Sequence, residues 1–121
     1  MKGKILVAED NEQNLYLVTF ILKQNQYEVI SAPDGIQAIE KAKTEKPVLI
    51  LMDMQLPKMN GYEATKKIKE MPELKNIPII ALTAFAMKGD KDKTLEAGCI
   101  GYIEKPINPD TFMEEVEKYI R

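Results

Sequence analysis

Asp53 ends the apolar run Pro47-Val48-Leu49-Ile50-Leu51-Met52, which puts a carboxylate where a buried strand should emerge into solvent. Three further runs end in the same way. Ile5-Leu6-Val7-Ala8 leads into Glu9-Asp10, Ile79-Ile80-Ala81-Leu82 into Thr83, and Tyr102-Ile103 into Glu104-Lys105-Pro106. Ligands of an open parallel sheet bind at the carboxyl ends of its strands, so four strand ends would carry Glu9, Asp10, Asp53, Thr83 and Lys105 to one rim. Carboxylates crowded to about 5 Å repel by roughly 3 kcal/mol per ionised pair at an effective dielectric of about 20. Proton uptake by one carboxyl would relieve that repulsion, and so would a cation. A set of oxygen ligands without His or Cys favours a hard divalent ion, Mg2+ above all, which usually keeps several waters and takes one or two carboxylates plus a phosphate. The rim is suited to receive a phosphoryl group.

An aspartate, ionised at neutral pH, attacks phosphorus without a general base. That matters in a chain with no histidine, where Ser-His-Asp and Cys-His arrangements are excluded. Transition-state charge spreads over the equatorial phosphoryl oxygens, and Mg2+, the Lys105 ammonium and the Thr83 hydroxyl could each take one. Pro106 follows Lys105, and a cis peptide at that bond would aim the lysine. Each residue alone also has an ordinary use. A strand-end Asp satisfies turn amides, Glu9 and Asp10 could cap the next helix, and a strand-end Thr or Lys is commonly structural or solvated. Their placement on four independent strand ends is what favours chemistry. By contrast, Met52, Met54, Met71 and Met113 read as core filler, and the sole cysteine, Cys99, as a small buried residue.

Five short apolar runs alternate with five amphipathic stretches, the pattern of βα units wound around a parallel sheet. The spacing predicts strands over 4–8, 27–31, 48–53, 78–82 and 100–104, and helices over 12–25, 35–45, 61–70, 88–97 and 109–120. Asp10 or Asn11, Asp34-Gly35, Asn60-Gly61 and Asn108-Pro109 supply helix starts. The third strand, apolar at nearly every position, should be central, and Glu28 and Ser31 mark the second as an edge. The expected fold is α/β, a flavodoxin-like (βα)5 three-layer sandwich with a parallel five-stranded sheet of order 2-1-3-4-5. Its crevice would open between strands one and three, which carry Glu9, Asp10 and Asp53.

A chain of 121 residues, 45% hydrophobic and 30% charged, has the length and balance of one folded domain spanning 1–121. Its net charge of -2, with both signs well mixed, offers no field to attract nucleic acid or anionic lipid. The N-terminal apolar run is too short for a signal peptide or membrane span, so the expected location is cytoplasmic.

The segments Ile5-Leu6-Val7-Ala8-Glu9-Asp10-Asn11, Leu49-Ile50-Leu51-Met52-Asp53-Met54-Gln55-Leu56-Pro57 with Gly61, Ala81-Leu82-Thr83-Ala84, and Tyr102-Ile103-Glu104-Lys105-Pro106 together resemble the receiver domain of two-component response regulators. Thr83 to Asp90 is most similar to small stand-alone receivers of the cell-division regulator type and to receivers of hybrid kinases. The resemblance implies that Asp53 accepts a phosphoryl group from a phosphohistidine on a histidine kinase or histidine phosphotransfer protein. It implies that Mg2+ is held by Asp10, Asp53 and the backbone carbonyl of Gln55, with Glu9 acting through water. It further implies that Thr83 and Lys105 contact the phosphoryl group, and that Thr83 with Tyr102 forms a switch read out on the helix 4, strand 5, helix 5 face. With no output region before Arg121, output is expected through another protein. The alternative context is a receiver segment of a larger hybrid kinase or multidomain regulator.

Two other classes fit poorly. An aspartate-nucleophile phosphatase needs a second acid two residues after the nucleophile, and Gln55 stands there. A nucleotide-binding module needs a glycine-rich loop after the first strand, where Glu9-Asp10-Asn11-Glu12-Gln13 is acidic.

Overall fold

The computed structural model describes residues 2–84 and 88–120. Its elements run β1 (Lys4–Ala8), α1 (Glu12–Gln24), β2 (Glu28–Ala32), α2 (Gly35–Glu45), β3 (Leu49–Asp53), α3 (Gly61–Glu70), β4 (Ile79–Thr83), α4 (Lys88–Ala97), β5 (Gly101–Glu104) and α5 (Phe112–Ile120). All strand pairs are parallel and the order is β2-β1-β3-β4-β5, with β3 central and β2 at one edge, as the sequence pattern predicts.

Side chains of a strand alternate between its faces, and here the alternation builds two cores. Leu6, Ala8, Ile50, Met52, Ile79 and Ala81 pack against α2 and α3. Ile5, Val7, Leu49, Leu51, Ile80, Leu82 and Ile103 face the other way, against α1 and α5. Every residue of β3 and β4 is buried, which explains their unbroken apolar runs. Met52 and Met54 lie inside, Met71 and Met113 pack on the two cores, and Cys99 is buried.

Helix starts follow local chemistry. Asn11, Asp34 and Asn60 each accept the amide hydrogen three residues on, capping α1, α2 and α3. Between the two caps proposed for α1 the structure selects Asn11, which releases Asp10 from that duty. One boundary needs correction. The helix expected from 109 begins at Phe112, because the Asn108 side chain accepts the amide of Asp110 and forms an Asx turn in place of a cap. The helix forms where Phe112 and Val116 bury against the sheet. Truncating a fully buried Phe112 to Ala would cost about 3–5 kcal/mol.

Candidate functional site

The two-residue strand period decides which strand-end side chains meet. Glu9 continues the Ile5-Val7 row beyond β1, Asp53 the Leu49-Leu51 row of β3, and Lys105 the Ile103 row beyond β5, all on the α1/α5 side of the sheet. Thr83 continues the Ile79-Ala81 row on the opposite side, the side against which Tyr102 also packs. Backbone bonds set the depth of each element: Glu9 N–H donates to Ala32 O at 3.0 Å, Met54 N–H to Leu82 O at 3.1 Å, and Lys105 N–H to Thr83 O at 2.8 Å.

The Lys105 ammonium lies 2.7 Å from Glu9 Oε1 and 3.0 Å from Asp53 Oδ2. The Lys105–Pro106 peptide is cis. Gln55 N–H donates to Asp53 Oδ1 at 3.0 Å, so both oxygens of that carboxylate are held. Asn11 N–H reaches Glu9 Oε2 at 3.3 Å. Glu9 Oε1 is fully shielded from solvent, and its close contact is the Lys105 ammonium. Gly61 lets α3 begin tight against the acidic strand end. A Cβ there would stand 2.3 Å from Asp53 O.

Glu9, Asp10 and Asp53 each offer a carboxylate oxygen within 4.8 Å of the others. Glu9 and Asp53 are buried and Asp10 is exposed, so the cluster opens to solvent through Asp10. Burial raises the Glu9 carboxyl above its usual range, with Lys105 opposing the rise and Asp53 adding to it. Burial alone would depress the Lys105 ammonium, and the contacts with Glu9 and Asp53 outweigh it and hold that ammonium above the ordinary lysine value. Three carboxylates face one ammonium in this cluster, so the rim remains acidic and its oxygen-only donors suit a hard divalent cation.

Thr83 is buried one residue beyond the Asp53–Leu82 pair, and Tyr102 is half-buried with the Lys91 ammonium 5.0 Å from its ring centroid. The Lys91 contact has no signature in the sequence, because the cation comes from a helix whose charged residues follow no apolar period. Phe85, Ala86 and Met87, within the Thr83–Asp90 stretch that gives the narrower resemblance, lie outside the described residues.

Fold and rim define a doubly wound parallel α/β protein of the flavodoxin-like class with an acidic, lysine-bridged site at its switch point. The chain belongs to the response regulator receiver domain family, whose model matches residues 5–117. It is 42% identical over 120 residues to the polar-differentiation response regulator DivK of Brucella anthropi, covering 99% of this chain and 98% of that protein. Among solved structures it is similar to the receiver domain of a sensor histidine kinase from Pseudomonas aeruginosa, at 36% identity and a TM-score of 0.90 over 99% of this chain and 98% of that one. That structure has a magnesium ion coordinated in its active site cleft. Chemotaxis protein CheY4 of Vibrio cholerae aligns at 28% identity and a TM-score of 0.92, covering 98% of this chain and 99% of that one. Among the described residues, no helix is long and apolar enough to cross a membrane.

Proposed function

We propose that the protein is a phosphoacceptor of a two-component phosphorelay, in which Asp53 takes a phosphoryl group from a phosphohistidine on a histidine kinase or histidine phosphotransfer protein. One observation carries this reading: Lys105 reaches across the rim to Asp53 at 3.0 Å inside an acidic cluster that can hold a cation. In the transfer, an Asp53 oxygen forms the O–P bond as the P–N bond breaks, and the departing imidazole keeps that electron pair and is protonated by solvent. Gln55 N–H and Lys105 fix the carboxylate for attack, and Lys105 with Thr83 takes up charge on the phosphoryl oxygens. Asp10, Asp53 and the Gln55 carbonyl would hold Mg2+, with Glu9 acting through water, and the ion would supply charge neutralisation at the rim. Hydrolysis by water at the same centre returns free Asp53, so the domain assists its own phosphorylation and dephosphorylation.

The domain spans 1–121 and works in the cytoplasm. Thr83 and Tyr102 pass the phosphorylated state to the α4, β5, α5 face, where a downstream protein docks. The likeness to a kinase-borne receiver supports a second context, a receiver segment within a larger sensor kinase, with the same chemistry at Asp53.

Incubation with acetyl phosphate and Mg2+, followed by intact-mass measurement, should add one phosphoryl group to the wild type and none to Asp53→Asn. Undiminished labelling in Asp53→Asn, mapped to another residue, would overturn the assignment.

A further inference from the structure

The loop that leaves Asp53 is braced from a helix outside the rim. Its base is closed by Gly61 N–H donating to Met54 O at 3.1 Å. Its far side turns back at Lys58, whose φ of 65° lies in the left-handed region, and Met59 N–H then donates to Pro57 O at 2.7 Å. At that turn the loop backbone presses on the first residue of α2. A Cβ added to Gly35 would stand 2.0 Å from Met59 O and 2.8 Å from Met59 C, a distance no neighbouring carbonyl tolerates without moving. Gly35 itself cannot easily retreat. Asp34, buried, ties down the same helix end through the amide and side chain of Gln37 at 2.8 and 3.3 Å, and the Lys58 ammonium stands 3.9 Å from the same carboxylate.

We infer that Gly35 is a positioning residue of the Asp53 site: its close approach to Met59 sets the path of residues 54–60, and through it the place of the Gln55 backbone. That backbone supplies the amide on Asp53 Oδ1 and, in the proposed function on which this inference rests, a carbonyl ligand for the cation. Side chains that orient a ligand from one step behind typically change metal affinity by 10–100-fold when lost. Here the orienting element is the missing side chain, because only a residue without a Cβ leaves room for the carbonyl.

The test is calorimetric titration of wild type and Gly35→Ala with Mg2+ alone, together with backbone amide shifts in metal-free buffer. Gly35→Ala should move the amides of 54–60 and weaken Mg2+ binding by about tenfold or more. Ile39→Val, on the core side of the same helix, should leave the affinity unchanged. Equal affinity in wild type and Gly35→Ala sinks this inference and leaves the proposed function standing, whereas a wild type that binds no Mg2+ ends both. If Gly35→Ala does not fold, Lys58→Pro replaces it, since proline cannot adopt the left-handed φ and the exposed side chain bears little of the core. Weaker Mg2+ binding by Lys58→Pro supports the loop's role. Unchanged binding there, with Gly35→Ala unfolded, shows that the contact serves stability alone.

Discussion

Lys105 and Asp53 stand 52 positions apart in the chain and 3.0 Å apart in space, and the same ammonium also contacts Glu9 at 2.7 Å. One ammonium is therefore shared between two carboxylates that arrive from different strands, and it leaves the cluster with net negative charge. Removing one partner of a buried pair leaves an uncompensated charge and costs more than the pair itself contributes. Lys105→Met should lower stability in metal-free buffer by about 3 kcal/mol, and added Mg2+ should restore part of it. Chemical denaturation with and without Mg2+ measures both. Phosphoryl uptake from acetyl phosphate should fall by about 10²-fold with it. An unchanged denaturation midpoint would show that the ion pair contributes nothing.

Asp10 has no capping duty, because Asn11 caps α1, and it is the exposed member of the carboxylate cluster. Asp10→Ala should abolish measurable Mg2+ binding in a calorimetric titration by removing a direct ligand. The same change removes repulsion from Glu9 and Asp53, so it should raise the thermal midpoint in metal-free buffer. Retained Mg2+ affinity in Asp10→Ala would place the cation elsewhere.

The rim was readable in the sequence because its residues end apolar runs, and the strand period then assigns each to a side of the sheet. Glu9, Asp53 and Lys105 follow from that logic alone. Helix α5 shows its limit: an Asn-Pro pair suits either a cap or an Asx turn, and only the burial of Phe112 decides the start. The Gly35–Met59 approach and the Lys91–Tyr102 contact were not readable. Each depends on how two separately formed elements seat against one another, which no local pattern encodes.

Cys99 offers a pH test away from the rim. Burial pushes its thiol up to about 11 from 9.0, with Thr65 and Lys69 pulling modestly the other way. A raised pKa in the folded state means that the stability held by the neutral thiol is complete below pH 9 and is lost as pH climbs through about 11. Wild type should therefore lose about 3 kcal/mol relative to Cys99→Ala across that window, beyond a constant packing offset. Parallel denaturation curves of the two proteins at all alkaline pH values would contradict this. At pH 8 the thiol should resist Ellman-type reagents until denaturant is added.

Thr83 and Tyr102 lie on the same side of the sheet, and the Tyr102 ring sits beneath the Lys91 ammonium at 5.0 Å in this structure. If phosphorylation draws the Thr83 hydroxyl toward the phosphoryl oxygen, it opens space that the ring can enter, and the ring must then leave Lys91. Such a change is a shift between two packings, and a ligand moves it only as far as it binds one packing better. Beryllofluoride, which mimics the phosphoryl group, should therefore perturb amide signals at 83–90 and 100–108 in the wild type. Thr83→Ala should shrink the perturbations at the α4, β5, α5 face while acetyl phosphate still labels Asp53. Lys91→Ala, which removes the cation over the ring, should bring the unliganded spectrum of that face toward the beryllofluoride-bound one. Equal distal changes in wild type and Thr83→Ala would show that the threonine does not carry the signal, and an unmoved unliganded spectrum in Lys91→Ala would show that the ammonium does not hold the ring.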